Sequence, residues 1–138
     1  MKKIKFPEFT TMICYIEGNP KELKERINLI MKNYGLMMAS GKKVYDEQMT
    51  EHTNGRSVYL VSDVESENCS EIMKAIIIMY NTNSFTLRFK GTNPIKHKIK
   101  TISHEIRHTV DKIIKAHHIT DDETPAYLTG HIAGELLS

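Results

Sequence analysis

The stretch from Asn93 to Ala116 constrains the chain more than any other, because its residue pattern fits a long helix with two unlike faces. Asn93-Pro94 gives an N-cap followed by the residue best tolerated at the first helical position. Ile95, Ile99, Ile102, Ile106, Val110 and Ile113 recur at spacings of three and four and draw one apolar stripe, which predicts a helix from about Pro94 to Ala116. At about 100° per residue, His104, His108 and Asp111 fall on the side away from the isoleucines. The helix should therefore bury its back and keep its front for chemistry.

That front carries His104-Glu105-Ile106-Arg107-His108. Residues four apart on a helix are neighbours with Cβ atoms roughly 5–6 Å apart, so two imidazoles can grip one ion. Glu105 projects from the adjoining stripe, where a carboxylate reaches a metal-bound water without being a ligand, the position of a general base. This order, followed by a later carboxylate, is the ligand set of a single-zinc hydrolase. The competing reading is a helix with two surface histidines beside a solvated glutamate. The core stripe on the opposite face and the acidic segment that follows favour the metal.

A catalytic zinc takes three protein ligands and leaves a fourth position open. Candidates for the third are His117, His118, Asp121, Asp122, Glu123 and His131. The metzincin pattern is excluded, because Asp111 and Ile114 stand where it requires glycine and histidine. At about 1.5 Å per residue, His117 and His118 lie roughly 13–15 Å along the axis from His108, and they look like a helix end where positive charge is favourable. Glu123 opens a second helix that can fold back through Ile119, Thr120 and Asp121 as an αα-hairpin, and this favours it. The competing role for Glu123 is a capping box with Thr120. Pro125 argues against Thr120 as cap and for Asp122 or Thr124, since a proline deeper in the helix deletes a hydrogen bond.

The run His104-Glu105-x-x-His108-x-x-Asp111, followed by Glu123-x-x-Ala126-Tyr127-Leu128-x-Gly130, resembles the small zincin-like, gluzincin-type metallopeptidases encoded by bacteriophages and other bacterial mobile elements. The resemblance covers the C-terminal third of the chain, and Pro125 departs from it. It implies an α+β, zincin-like fold: a small mixed or antiparallel sheet packed on the helix bearing the motif, with a C-terminal helix giving the third ligand. It implies His104, His108 and Glu123 as ligands of Zn2+ and Glu105 as catalytic base. Asp111 either accepts the free ring N–H of His108 or pairs with Lys115. Tyr127 and His131 follow Glu123 by four and eight residues and share its helical face, so either can donate to an oxyanion. Burial between helices competes for Tyr127, and plain exposure for His131.

The expected activity is hydrolysis of a peptide or protein amide bond through a metal-activated water. The alternative is a non-catalytic, zinc-stabilised protein-binding module of phage or mobile-element origin. A regulatory protease that cleaves a repressor is less well accommodated, since 138 residues leave little room for a separate sensing part.

Length predicts a single domain spanning residues 1–138. Nineteen Lys plus Arg against seventeen Asp plus Glu give a net charge of +2, so no polyanion-binding field is implied and nucleic acid is not required. Cys14 and Cys69 have no metal-like spacing and read as free thiols in a reducing compartment. No signal peptide stands at the start, and no apolar run approaches the ~20 residues that span a bilayer, so a soluble, cytoplasmic chain is expected. Oligomeric state leaves no mark.

Ahead of the motif, Thr10–Ile16 reads as a strand, and Asn19-Pro20 opens a helix that Gly35 closes. Asn54-Gly55 predicts a hairpin between Val44–His52 and Ser57–Ser62. Residues 70–80 fit strand or helix, with strand preferred. Phe85–Lys90 alternates as a strand; it is either the lip that pairs with an extended substrate or a plain interior strand. Lys96–Lys100 with His97 reads as a solvated basic face, and the eight methionines as core filler.

Overall fold

A computed structural model describes residues 1–39, 49–62, 74–83 and 93–138. In chain order these form β1 (Lys2–Phe6), a 3-10 turn (Pro7–Phe9), β2 (Thr11–Gly18), α1 (Pro20–Tyr34), β3 (Leu36–Met38), β4 (Gly55–Ser62), β5 (Lys74–Asn81), α2 (Pro94–Ala116) and α3 (Glu123–Leu137). The strands make one mixed sheet in the order β1-β2-β5-β4-β3. β2 and β5 run parallel, and every other neighbouring pair is antiparallel. The fold is α+β.

Helices cover both faces of the sheet, and the strand pleat sorts the core in two. Ile13, Tyr15, Ile76 and Ile78 face α2 and α3, meeting Ile102, Ile106, Val110, Leu128 and Ile132. Met12, Cys14, Ile77 and Met79 point the other way, against Leu23, Ile27 and Ile30 of α1. A strand buried on both faces reads as an unbroken apolar run. This is why Ala75–Tyr80 lacks alternation although β5 is a strand, as preferred. α1 has its expected bounds: Asn19 Oδ1 accepts from the Glu22 amide at 2.9 Å, and Gly35 closes the helix at φ 61°.

Side-chain contacts fix the helix directions. His97, near the start of α2, meets Tyr80 at the end of β5, with ring nitrogen and hydroxyl 2.9 Å apart. α2 therefore runs antiparallel to β5. His118 at φ 52° and a bond from the Ile119 amide to the Ile114 carbonyl turn the chain into α3. Along α3, Lys2 donates to the Glu135 carbonyl at 3.2 Å and Phe6 meets the His131 ring at 5.5 Å, so α3 lies antiparallel to β1. α2 covers β4 and β5 while α3 reaches β1, which stands two positions from β5 and three from β4 in the sheet.

Several expectations need correction. Asn54-Gly55 is not a hairpin loop: Gly55 begins β4, and the Asn54 carbonyl already accepts from the Asn81 amide of β5 at 2.9 Å. Residues 49–54 are not strand, and the rest of the supposed first arm lies outside the described residues. So does Phe85–Lys90. β1 and β3 had no clear sequence signal. α2 has its predicted bounds, but Ile95 and Ile99 at its start are exposed. The basic stretch beside them is not wholly solvated, because His97 is buried and Lys98 pairs with Glu17 at 3.0 Å. No helix among the described residues is long and apolar enough to cross a membrane.

Candidate functional site

His104 and His108 project from α2 over the start of β4, and their Nε2 atoms converge to 3.1 Å. Their rings lie edge to face with centroids 4.7 Å apart. The one-turn spacing brings the rings together, on a helix whose first turn is closed by a side-chain cap. The Asn93 side chain accepts from the amides of Ile95 at 2.9 Å and Lys96 at 3.3 Å.

The two rings open onto a cleft of about 410 Å³ between α2 and the first residues of β4. Gly55 sets the width of its floor. A Cβ there would stand 2.7 Å from Thr101 Cγ2 and 3.1 Å from the Met79 carbonyl oxygen, so only glycine lets α2 come this close to the sheet. Glu105 lies on that contact, only 6% exposed, with its Cγ 3.4 Å from the same imagined Cβ. It lines the cleft with the two histidines.

Lys112, one turn beyond His108, closes the cleft. Its ammonium donates to the Ser57 carbonyl oxygen at 3.0 Å and to Ser57 Oγ at 2.9 Å, tying α2 to β4. Burial lowers its pKa, opposed by the nearby Glu105 carboxylate and assisted by Arg56. Sequence reasoning missed Lys112, Ser57 and Gly55. Lys112 was within reach, since it continues the stripe of His104 and His108; Ser57 and Gly55 come from a strand whose partner is not written locally.

The remaining expected site residues lie elsewhere. Glu123 is exposed at the first position of α3 and does not line the cleft. Among the described residues, no three His, Cys, Asp or Glu side chains stand where they could hold one metal ion, so the structure does not gather His104, His108 and Glu123. The physical reason is helix length: α2 runs eight residues past His108, about 12 Å at 1.5 Å per residue, before the chain can turn. The axial rise that separates His117 and His118 from the pair separates Glu123 too. The α2–α3 hairpin does form, but α3 lies on the β1 flank of α2 and the cleft on the β4 flank.

Tyr127 and His131 are on that far flank as well. They stack on each other at 5.8 Å, His131 against Phe6, and Tyr127 is 60% exposed rather than buried between helices. Asp111 pairs with Arg107 at 3.4 Å rather than with His108 or Lys115. Asp122, not Thr120, is the N-cap of α3, but its side chain makes no capping bond; Asp121 Oδ2 instead accepts from the Thr124 amide at 2.7 Å. Those bonds to Thr124 hold the Asp121 carboxyl below its ordinary pKa. Pro125 falls at the third helical position, where a missing N–H leaves no bond unmade. His117 is the C-cap of α2, as its place at the helix end suggested, and packs on Phe9 with ring centroids 5.0 Å apart; burial lowers its pKa, which disfavours the charged form there. Cys14 is a buried free thiol that burial pushes up to about 11, which removes it as a nucleophile; Cys69 lies outside the described residues.

No family model, no curated protein and no solved structure matches the chain. The site must be argued from its own geometry.

Proposed function

We propose that this chain is a zinc-dependent hydrolase of peptide or protein amide bonds, centred on His104, Glu105 and His108. The observation that carries the reading is the 3.1 Å approach of the two Nε2 atoms. Two nitrogens bound to one tetrahedral zinc at 2.0–2.1 Å lie about 3.3 Å apart, so the pair fits two positions of such an ion. Glu123 does not fit the third, which leaves more of the ion's coordination to water, substrate or a ligand beyond this set. When bound, zinc would lower the pKa of a coordinated water towards ~7 from ~15.7.

The remaining work falls to the chain's own side chains. Glu105, buried along the cleft, is the group to take a proton from the attacking water and return it to the departing amine. Gly55 keeps α2 close enough to β4 for that carboxylate to sit at the cleft wall. Lys112, fixed by Ser57, places a cation beside the reacting groups, the role that Tyr127 and His131 are too distant in the fold to play. The test is Glu105→Gln, assayed on denatured casein with zinc content measured in parallel. The expected outcome is unchanged zinc with hydrolysis reduced about 10²–10⁴-fold, the ordinary share of a general base. A fully active Glu105→Gln protein would remove the base from the account.

A further inference from the structure

Ser57 and Lys112, which the zinc reading uses only to place a charge, form an arrangement with a second capacity. Ser57 pairs with Ile78 across the sheet, and Ile78 packs in the layer under α2, so the Ser57 side chain also points to that side. It emerges in the cleft two residues from Gly55, which carries no side chain to screen it. Lys112 Nζ lies 2.9 Å from its Oγ and 3.0 Å from its carbonyl oxygen. These two partners do different things. The carbonyl can only accept, so it fixes one N–H of the lysine; the hydroxyl can also give up its proton, and a neutral amine has one lone pair to receive it. A lysine held by the carbonyl of a residue whose hydroxyl it also touches is thus oriented to serve as that hydroxyl's base.

We propose that Ser57 is a nucleophile activated by Lys112, able to take an acyl or phosphonyl group from an ester-like electrophile entering the cleft. This goes beyond the zinc hydrolase reading, since it requires no metal and draws on the neutral form of Lys112 where that reading draws on the cation. Partial burial of Lys112 favours its neutral form, as a lysine base needs, while Glu105 pulls the other way and Arg56 adds to the burial. His104 and His108 are the other titratable groups lining the cleft. With a fluorophosphonate the step balances simply. Oγ attacks phosphorus, the O–P bond forms, the P–F bond breaks, fluoride departs and the hydroxyl proton passes to Nζ. With an ester, Oγ attacks the carbonyl carbon, the alkoxide leaves, and the proton held by Nζ passes to it.

The test is to treat the full chain, in the presence of a chelator, with a fluorophosphonate and to locate the adduct by mass spectrometry. Labelling at Ser57 is expected, with none in Ser57→Ala. Lys112→Arg keeps a donor for the Ser57 carbonyl but cannot be deprotonated, so labelling should slow about 100-fold while the thermal unfolding midpoint stays near the parent's. If Lys112→Arg does not fold, Lys112→Gln replaces it, with the same loss expected. No adduct on Ser57 of the parent protein, or an equal rate in a folded Lys112 variant, overturns the proposal. Since zinc is chelated throughout, failure here is separate from failure of the metal site, which zinc content reads.

Discussion

The two flanks of α2 are built from the same helix and used in opposite ways. Towards β4 it offers His104, Glu105, His108 and Lys112 to a cleft floored by Gly55 and bounded by Ser57. Towards α3 it offers apolar side chains that close on Leu128, Ile132 and Leu136. The residues that chemistry needs at one-turn spacing are together because a single helix sets their distance. Those expected to join from α3 are apart because a second helix goes where its own apolar face takes it. Leu128, Ile132 and Leu136 seek the sheet beside β1, and Glu123, Tyr127 and His131 travel with them.

The sharpest way to break this contrast is on the α3 flank. Ile132 is fully buried, so Ile132→Ala should cost about 2–5 kcal/mol in urea unfolding, yet leave zinc binding by the folded protein unchanged. A loss of zinc there would show that the two flanks are not separate. On the cleft flank the expectation reverses. Gly55→Ala forces a methyl against Thr101 and the Met79 carbonyl, costing about 1–3 kcal/mol, and should reduce hydrolysis by more than the loss of folded protein explains. Activity that tracks only the folded fraction would make Gly55 a packing residue.

The first half of the motif was legible because helix geometry is local. Asn93-Pro94, the isoleucine period and the His104–His108 spacing each state a distance within one element, and the structure keeps the helix where they put it. α1 was legible for the same reason, between Asn19 and Gly35. The third ligand was a statement about two elements. Its failure to join the pair followed from the length of α2 beyond His108, a number the sequence already contained. Ser57 was harder to find, because nothing local tells which face of β4 lies under α2 or that β5 inserts between β4 and β2. Asn54-Gly55 misled for a related reason: the glycine is there for the approach of Thr101 rather than for a turn.

The smallest effect is a pH dependence from the turn that joins the flanks. Burial, with lesser help from Lys74 and His118 and opposed by the Phe9 carbonyl, lowers the pKa of His117 below its unfolded value of about 6.5. The neutral form is the one the fold favours. Its contribution is therefore complete above about pH 6.5 and is lost as pH falls through the lower folded-state value. Urea midpoints should drop between about pH 7.5 and about pH 5.5, with a shallower drop in His117→Gln. An unchanged slope in that variant would assign the acid sensitivity to other groups, with buried His97 the next to test.

The central claim is that the functional centre belongs to the β4 flank of α2 and is built on the histidine pair. Zinc titration of the parent chain, His104→Ala and Glu123→Ala tests it most directly. The account predicts one zinc per parent chain, none in His104→Ala, and parental affinity in Glu123→Ala. A parent that takes up no zinc, or a Glu123→Ala protein as empty as His104→Ala, would contradict it.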